Sequence, residues 1–169
     1  MFQKLVLSLA SASLVASVAA AAPPERTTIA DAAIGNPAFS TLVAAVIKAD
    51  LVSVLDGKRQ LTVFAPTNDA FDAAAEALIG PGATGLELVE ALPVEDLTAV
   101  LLYHVAPGKR LSPTVLSSSK VRMLGKNFTV PSVDGGVAFI NGAPIETPDI
   151  VVDNGVIHVL GGVLLPPAE

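Results

Sequence analysis

The chain has 169 residues, of which 51% are hydrophobic and only 15% are charged, and it contains no cysteine. The lack of cysteine excludes disulfides, thiolate metal sites, cysteine nucleophiles and a lipid attached to an N-terminal cysteine. Acidic residues outnumber basic residues by 16 to 10, and this balance argues against a nucleic acid as the partner.

The first 22 residues have the composition of a secretory signal peptide. A short basic start, Met1–Lys4, precedes an apolar run, Leu5–Val18, and small residues at Ala19–Ala22. The apolar run is shorter than the stretch of about 20 residues that a membrane helix needs, although a retained anchor helix is the alternative interpretation. We predict a signal peptide at 1–22, a linker at 23–27, and no membrane span in the mature chain.

The first half of the mature chain is predicted to be helical. Asn36 before Pro37 is typical of a helix N-cap, and Gly57 marks the end of this helical region. The apolar residues that recur on one helical face between them are Phe39, Leu42, Val43, Val46 and Ile47.

A short apolar strand, Leu61–Ala65, is predicted next, and Thr67 or Asn68 is placed to cap the helix that follows. The apolar face of that helix is predicted to carry Phe71, Ala75, Leu78 and Ile79. The segment Gly80–Gly85 is predicted to be a loop. It has the G-x-G-x-x-G spacing of a dinucleotide-binding loop, but it follows a helix instead of a strand, so we predict no nucleotide there. The last helix is predicted to start near Pro93.

From about Lys120 the chain changes to short apolar runs separated by turn dipeptides. These are Asp134-Gly135, Asn141-Gly142 and Asn154-Gly155, which favour the positive φ angles of tight hairpins. The last dipeptide is flanked by apolar strands that need covering on both faces. Helices followed by an antiparallel sheet predict the α+β class.

Three segments resemble the motifs of the fasciclin-like (FAS1) family. LTVFAPTNDAF at Leu61–Phe71 and NGVIHVLGGVLLPP at Asn154–Pro167 resemble its two signature boxes, and Tyr103-His104-Val105 resembles the motif between them. The similarity extends over one domain, 28–167. It implies the FAS1 fold, a β-wedge of two small sheets with an N-terminal helical layer.

We interpret the two boxes as scaffold. Thr67, Asn68 and Asp69 are placed to bond free backbone amides at a helix start, and His158 alternates with apolar strand residues. Both His158 and His104 are expected to make buried hydrogen bonds instead of transferring protons. Because no zinc-binding, calcium-binding or serine hydrolase motif is present, we predict no enzymatic activity, no cofactor and no metal site.

The resemblance implies a secreted or periplasmic monomer for cell adhesion or matrix interaction, which recognises an extracellular protein or polysaccharide. Tyr103 and His104 match a motif linked to adhesion in animal relatives, and Asp149-Ile150 resembles a pair with a similar role there, so these four are the predicted binding residues. The alternative is a carrier of a small apolar ligand, as in relatives that carry carotenoids, because few charges and high hydropathy fit an apolar groove.

Overall fold

The computed structural model describes residues 26–167, and the helices are concentrated in the first half of this range. The predicted signal peptide at 1–22 lies outside the described residues, as does the linker apart from Arg26 and Thr27. The helices are α1 (Ile29–Ile34), a 3-10 turn (Pro37–Phe39), α2 (Ser40–Lys48), α3 (Val52–Leu55), α4 (Asn68–Leu78), α5 (Gly85–Ala91), α6 (Val94–Tyr103) and α7 (Ser112–Ser117).

The sequence analysis missed three helices, and the first of them, α1, lies before the predicted N-cap Asn36. Helix α5 begins inside the predicted loop, because Thr84 and Glu87 cap its first turn reciprocally and the Thr84 amide donates to Glu87 Oε2 at 2.7 Å. A Cβ at Gly85 would lie 2.5 Å from the Cβ of Phe71, so glycine permits α5 to approach α4 this closely. Helix α7 follows the helix that was predicted to be the last.

The apolar faces predicted for α2 and α4 include residues that the structure leaves exposed. Ile47 is 61% exposed, and Leu78 and Ile79 are 54% and 52% exposed. Leu78 ends α4 and Ile79 is its C-cap, so both lie where the helix extends past its neighbours. The other residues predicted for these two faces are buried or half-buried.

Within residues 26–167, eight strands follow or interrupt the helices. They are β1 (Leu61–Pro66), β2 (Val105–Pro107), β3 (Val121–Arg122), β4 (Phe128–Thr129), β5 (Pro131–Asp134), β6 (Val137–Ile140), β7 (Ala143–Val152) and β8 (Gly155–Leu160). Six strands form one mixed sheet in the order β2-β1-β8-β7-β6-β5, and β3 and β4 form a separate two-stranded ribbon. The C-terminal strands pair antiparallel as predicted, but β8 also pairs parallel with β1, a contact that the sequence did not indicate.

The two central strands, β1 and β8, are buried along their whole length. Because successive side chains of a strand point to opposite faces, these strands contribute to two core clusters. Val63 and Ile157 join the cluster formed with the helices, while Phe64 and Leu160 join the cluster on the other face. Covering on both faces is therefore confirmed for β8 but not for β7, where Val151 is 55% exposed.

The predicted turn at Asn154-Gly155 is wrong in its details. Val152 pairs with Gly155, so the two turn residues are Asp153 and Asn154, and no residue from 153 to 155 has a positive φ. The turn at Asn141-Gly142 is confirmed, with a positive φ at both residues. The turn predicted at Asp134-Gly135 lies one residue later, because Asp134 pairs with Val137 and the positive φ angles are those of Gly135 and Gly136. None of the helices within 26–167 has the length and apolar character required to cross a bilayer.

Candidate recognition site

Tyr103, the last residue of α6, is an interior residue. It is only 1% exposed, and its hydroxyl donates to the carbonyl of Phe128 at 3.0 Å. The same hydroxyl oxygen accepts from Asn141 Nδ2 at 2.6 Å. Tyr103 thus connects α6 to β4 and to the turn between β6 and β7, and its side chain does not reach the surface.

His104, at the C-terminus of α6, is also buried, with 2% of its surface exposed. Its Nδ1 lies 2.7 Å from the Val100 carbonyl and therefore donates, while its Nε2 accepts from the Leu164 amide at 2.9 Å. Both ring nitrogens are therefore used by the backbone. Burial lowers the pKa of His104 to about 4, although the bond to Val100 favours the charged form.

We expect the protein to lose stability when the pH falls from 6.5 to about 4, the unfolded and folded pKa values of His104. In this range the unfolded chain takes up a proton that the folded protein excludes, so the contribution is complete above pH 6.5 and is lost as the pH approaches 4. The expected loss from His104 is about 3 kcal/mol in the free energy of unfolding. Urea denaturation at a series of pH values across this range measures it.

The matched variant for this experiment is His104→Gln. It should be less stable at neutral pH but should have a shallower dependence on pH, retaining only the part due to His158 and the carboxylates. An unchanged pH dependence in the variant would show that His104 is not the responsible group.

His158 lies in the middle of β8, and none of its side chain is exposed. Its Nε2 is 2.9 Å from the Arg110 carbonyl, and its Nδ1 accepts from the Asp149 amide at 3.2 Å. The ring stacks on Phe64 with centroids 5.4 Å apart. Burial lowers the pKa of His158, and the neutral ring with a proton on Nε2 satisfies both contacts.

Asp149 forms a bulge in β7. Its φ is +59°, and the pairing with β8 shifts register between Thr147 and Ile150. Its carboxylate accepts from the Ser112 amide at 2.7 Å and from Ser112 Oγ at 2.5 Å, at the start of α7. Partial burial raises the pKa of this carboxyl, but the Ser112 hydrogen bonds and the nearby His158 bring the net pKa below its usual value.

Ser112, Asp149 and His158 are the residue types of a hydrolase triad, but their arrangement is different. Ser112 Oγ bonds to Asp149, and Asp149 Oδ1 is 3.9 Å from His158 Nδ1. Catalysis needs a hydroxyl bonded to the histidine that will take its proton. Here backbone groups bond to both ring nitrogens of His158, so no nitrogen is free to take a proton from Ser112. The three residues connect α7, β7 and β8 instead.

The four predicted binding residues therefore do not form one open site. Tyr103 and His104 are buried, Asp149 is bonded to α7, and Ile150 is half-buried and pairs with Ile157. The buried hydrogen bonds expected for His104 are present, and a binding role for these four residues stays a prediction.

The polar residues of the first box lie at the start of α4. Thr67 Oγ1 accepts from the Ala70 amide at 3.3 Å, which caps the helix. Asn68 Oδ1 accepts from the Thr41 amide at 3.0 Å, and its Nδ2 donates to the Pro37 carbonyl at 2.9 Å. Asn68 thus joins α4 to α2, while Asp69 is exposed in the first turn of α4.

One surface depression is an apolar groove between α1, α2 and α3. Its volume is about 30 Å³, and its rim includes Ile34 and Ile47, which are 63% and 61% exposed. The residues that line the apolar groove are Ala30, Ala33, Ile34, Leu42, Val43, Val46, Ile47, Val52 and Leu55.

Another depression, the polar cleft, lies at the end of the sheet where β1 and β8 begin. Its volume is about 360 Å³, and its lining residues are Arg26, Thr28, Asp56, Gly57, Lys58, Gln60, Asp153 and Asn154. The walls are held together by the backbone: the Asp153 amide donates to Thr27 at 3.0 Å, and the Leu61 amide donates to Asn154 at 3.0 Å. Sequence reasoning missed this cleft, since its only local signal is the polar run at 56–60.

Asn154 is the buried residue that shapes the polar cleft. Its Oδ1 accepts from the Ile29 amide at 2.8 Å, and its Nδ2 donates to the carbonyls of Leu55 and Gly57 at 2.6 and 3.0 Å. One side chain therefore connects α1, the end of α3 and the turn before β8. Within residues 26–167 no group of three or more histidine, aspartate or glutamate side chains is arranged to hold a metal ion.

Comparison with known proteins agrees with this architecture. The sequence model of the family called fasciclin domain matches residues 37–166 of this chain. The structure of a FAS1 domain pair from the insect cell adhesion molecule fasciclin I superposes with a TM-score of 0.65 and 16% identity, covering 82% of this chain and 51% of that chain. At this identity the superposition demonstrates the shared fold alone.

Sequence relatives come from several groups of organisms. Protein sll1483 of Synechocystis is 42% identical over 90% of this chain and 81% of that protein. The cell surface glycolipoprotein MPB83 of Mycobacterium bovis is 32% identical over 83% of this chain and 61% of its own length. The transforming growth factor-beta-induced protein ig-h3 of Sus scrofa is 32% identical over 86% of this chain, which spans 20% of that protein. The chain belongs to the fasciclin (FAS1) domain family.

Proposed function

We propose that this protein is a secreted or periplasmic adhesion module that recognises an extracellular protein or polysaccharide through its surface and catalyses no reaction. The observation that carries the proposal is the state of its two histidines, His104 and His158. Both are buried, and the backbone occupies every ring nitrogen. A cell surface glycolipoprotein among its relatives supports the same function.

Tyr103, His104, Asp149 and Ile150 serve this function indirectly. Tyr103 and His104 hold the C-terminus of α6 against the chain around Phe128 and Leu164. The Asp149 bulge fixes α7 on the sheet. These residues keep the partner-binding surface in place, and the contacts with the partner come from exposed side chains.

The test is retention of the purified protein on cells and extracellular material of its native host. We expect labelled protein of residues 23–169 to be retained and to be displaced by an excess of unlabelled protein. Acid-unfolded protein, returned to neutral pH only for detection, is the control for adsorption of exposed apolar surface. Equal retention of folded and unfolded protein, or no retention, would contradict an adhesion role.

A second candidate is binding of a small apolar ligand such as a carotenoid, which would use the apolar groove. Pockets for drug-sized ligands have volumes of at least about 300 Å³, whereas this groove has about 30 Å³. A polyene would therefore lie along the open rim between Ile34 and Ile47. Protein from the native host with a visible absorption band would support this candidate, and colourless protein that coats cells would support adhesion.

A further inference from the structure

The charges of this protein are separated along the fold. The stretch from Gln60 to Gly108 contains no basic residue. Its seven acidic residues, all of them in α4, α5 and α6, are Asp69, Asp72, Glu76, Glu87, Glu90, Glu95 and Asp96. The helical side of the molecule is therefore strongly acidic.

The polar cleft, in contrast, has basic residues in its lining. Arg26 and Lys58 line it, and Arg59 follows Lys58 directly in the chain. The Gly108 amide donates to the Gln60 carbonyl at 2.8 Å, which brings Lys109 to the same end of the sheet. Arg26 and Lys58 thus line a cleft that also has two carboxylates, and Arg59 and Lys109 belong to the chain segments that adjoin it, although the whole chain carries a formal charge of −6.

The groups inside the cleft are of two chemical kinds. Arg26 and Lys58 are cations, and Asp56 and Asp153 are carboxylates that accept hydrogen bonds. All four side chains are exposed, and within residues 26–167 none of them forms an ion pair with another described residue. Gln60 adds an exposed amide, and its Nε2 lies 3.3 Å from the Asp153 carbonyl. A volume of about 360 Å³ is within the range of pockets that enclose small ligands.

We propose that the polar cleft binds the sugar units of a carboxylated polysaccharide, a polyuronate. The sugar carboxylate bonds to Arg26 and Lys58, and ring hydroxyls donate to Asp56 and Asp153. This assignment rests on the proposed extracellular function, since such polymers are found outside cells. Double-stranded DNA offers phosphates but no sugar hydroxyls for the two aspartates, and a neutral glucan leaves both cations without a partner.

The experiment measures the affinity of the protein, residues 23–169, for polygalacturonate on a sensor surface. Arg26→Gln with Lys58→Gln should weaken binding at least about tenfold, because the variant lacks both cations that bond to the sugar carboxylate. The matched control, Lys120→Gln with Arg122→Gln, changes the net charge equally at residues that do not line the cleft. It should change the affinity less than about twofold.

A second variant separates recognition of the sugar from attraction of charge. Asp56→Asn should weaken polygalacturonate binding if its carboxylate accepts from a hydroxyl, whereas simple attraction of a polyanion would be strengthened by loss of the negative charge. The proposal is overturned if Asp56→Asn binds more tightly, if the control pair loses as much affinity as the cleft pair, or if dextran or duplex DNA binds as well as polygalacturonate.

Cell retention is measured with the same variants, so that the two proposals fail separately. Wild-type protein that is retained on cells but does not bind polygalacturonate would overturn the cleft assignment and leave the adhesion role intact. Protein that binds polygalacturonate through the cleft but is not retained on host cells would support the cleft assignment and contradict the adhesion role.

Discussion

The substitution Gly155→Ala is expected to lower the free energy of unfolding by about 4 kcal/mol or more relative to the wild-type protein, or to prevent folding. Gly155 starts β8 directly against β1, and a Cβ built there would lie 1.9 Å from the carbonyl oxygen of Leu61 and 2.9 Å from Cδ1 of Ile29. A backbone carbonyl cannot turn away as a flexible side chain can. The central strand pair must therefore separate, which breaks the contact between Leu61 and Asn154.

Urea denaturation of Gly155→Ala should be compared with that of Gly135→Ala. Gly135 has a φ of +58°, and no atom lies within 4 Å of its missing Cβ. Its replacement should cost about 1 kcal/mol through backbone strain alone. Similar losses in the two variants would mean that the close approach of β8 to β1 is not what demands glycine at 155.

The second large effect is expected for Asn154→Ala, which should lower the free energy of unfolding by about 3 to 4 kcal/mol. The substitution leaves the Ile29 amide and the carbonyls of Leu55 and Gly57 without their partner. Buried polar groups that lose a partner are costly because no water replaces it. Hydrogen exchange of the Ile29 amide should become fast relative to global unfolding.

Asn36→Ala is the matched control for this loss. Asn36 also makes a side-chain bond to the backbone, accepting from the Ala38 amide at 3.0 Å, but it is exposed. Removing an exposed cap costs about 1 kcal/mol. If the two asparagine variants lost the same stability, Asn154 would be an ordinary turn residue.

Local features of this fold could be predicted from the sequence because their partners lie within four residues. Asn36 and Thr67 bond to amides two and three residues further on, so the pattern of residues records the contact. The turns at Gly135 and Asn141 follow in the same way from the need for positive φ.

Long-range features could not be predicted by the same reasoning. The parallel pairing of Leu61 with Gly155 joins segments that are far apart in the chain, and no periodicity indicates which strand lies beside another. The polar cleft has the same origin, since Arg26, Lys58 and Asp153 come from three separate segments. Asn154-Gly155 has the sequence of a hairpin dipeptide, but it serves other purposes. The Asn154 side chain bonds to three buried backbone groups, and Gly155 leaves room for the Leu61 carbonyl.

The arrangement of β1 and β8 determines how the domain responds to tension. The described chain enters beside the start of β8, where Thr27 accepts from the Asp153 amide, and its C-terminal segment continues beyond Leu160 at the other end of that strand. Tension between the start of β1 at Leu61 and the end of β8 at Leu160 is directed along the strand axis. The parallel ladder between β1 and β8 is then loaded in shear, so that its hydrogen bonds resist together instead of opening one after another.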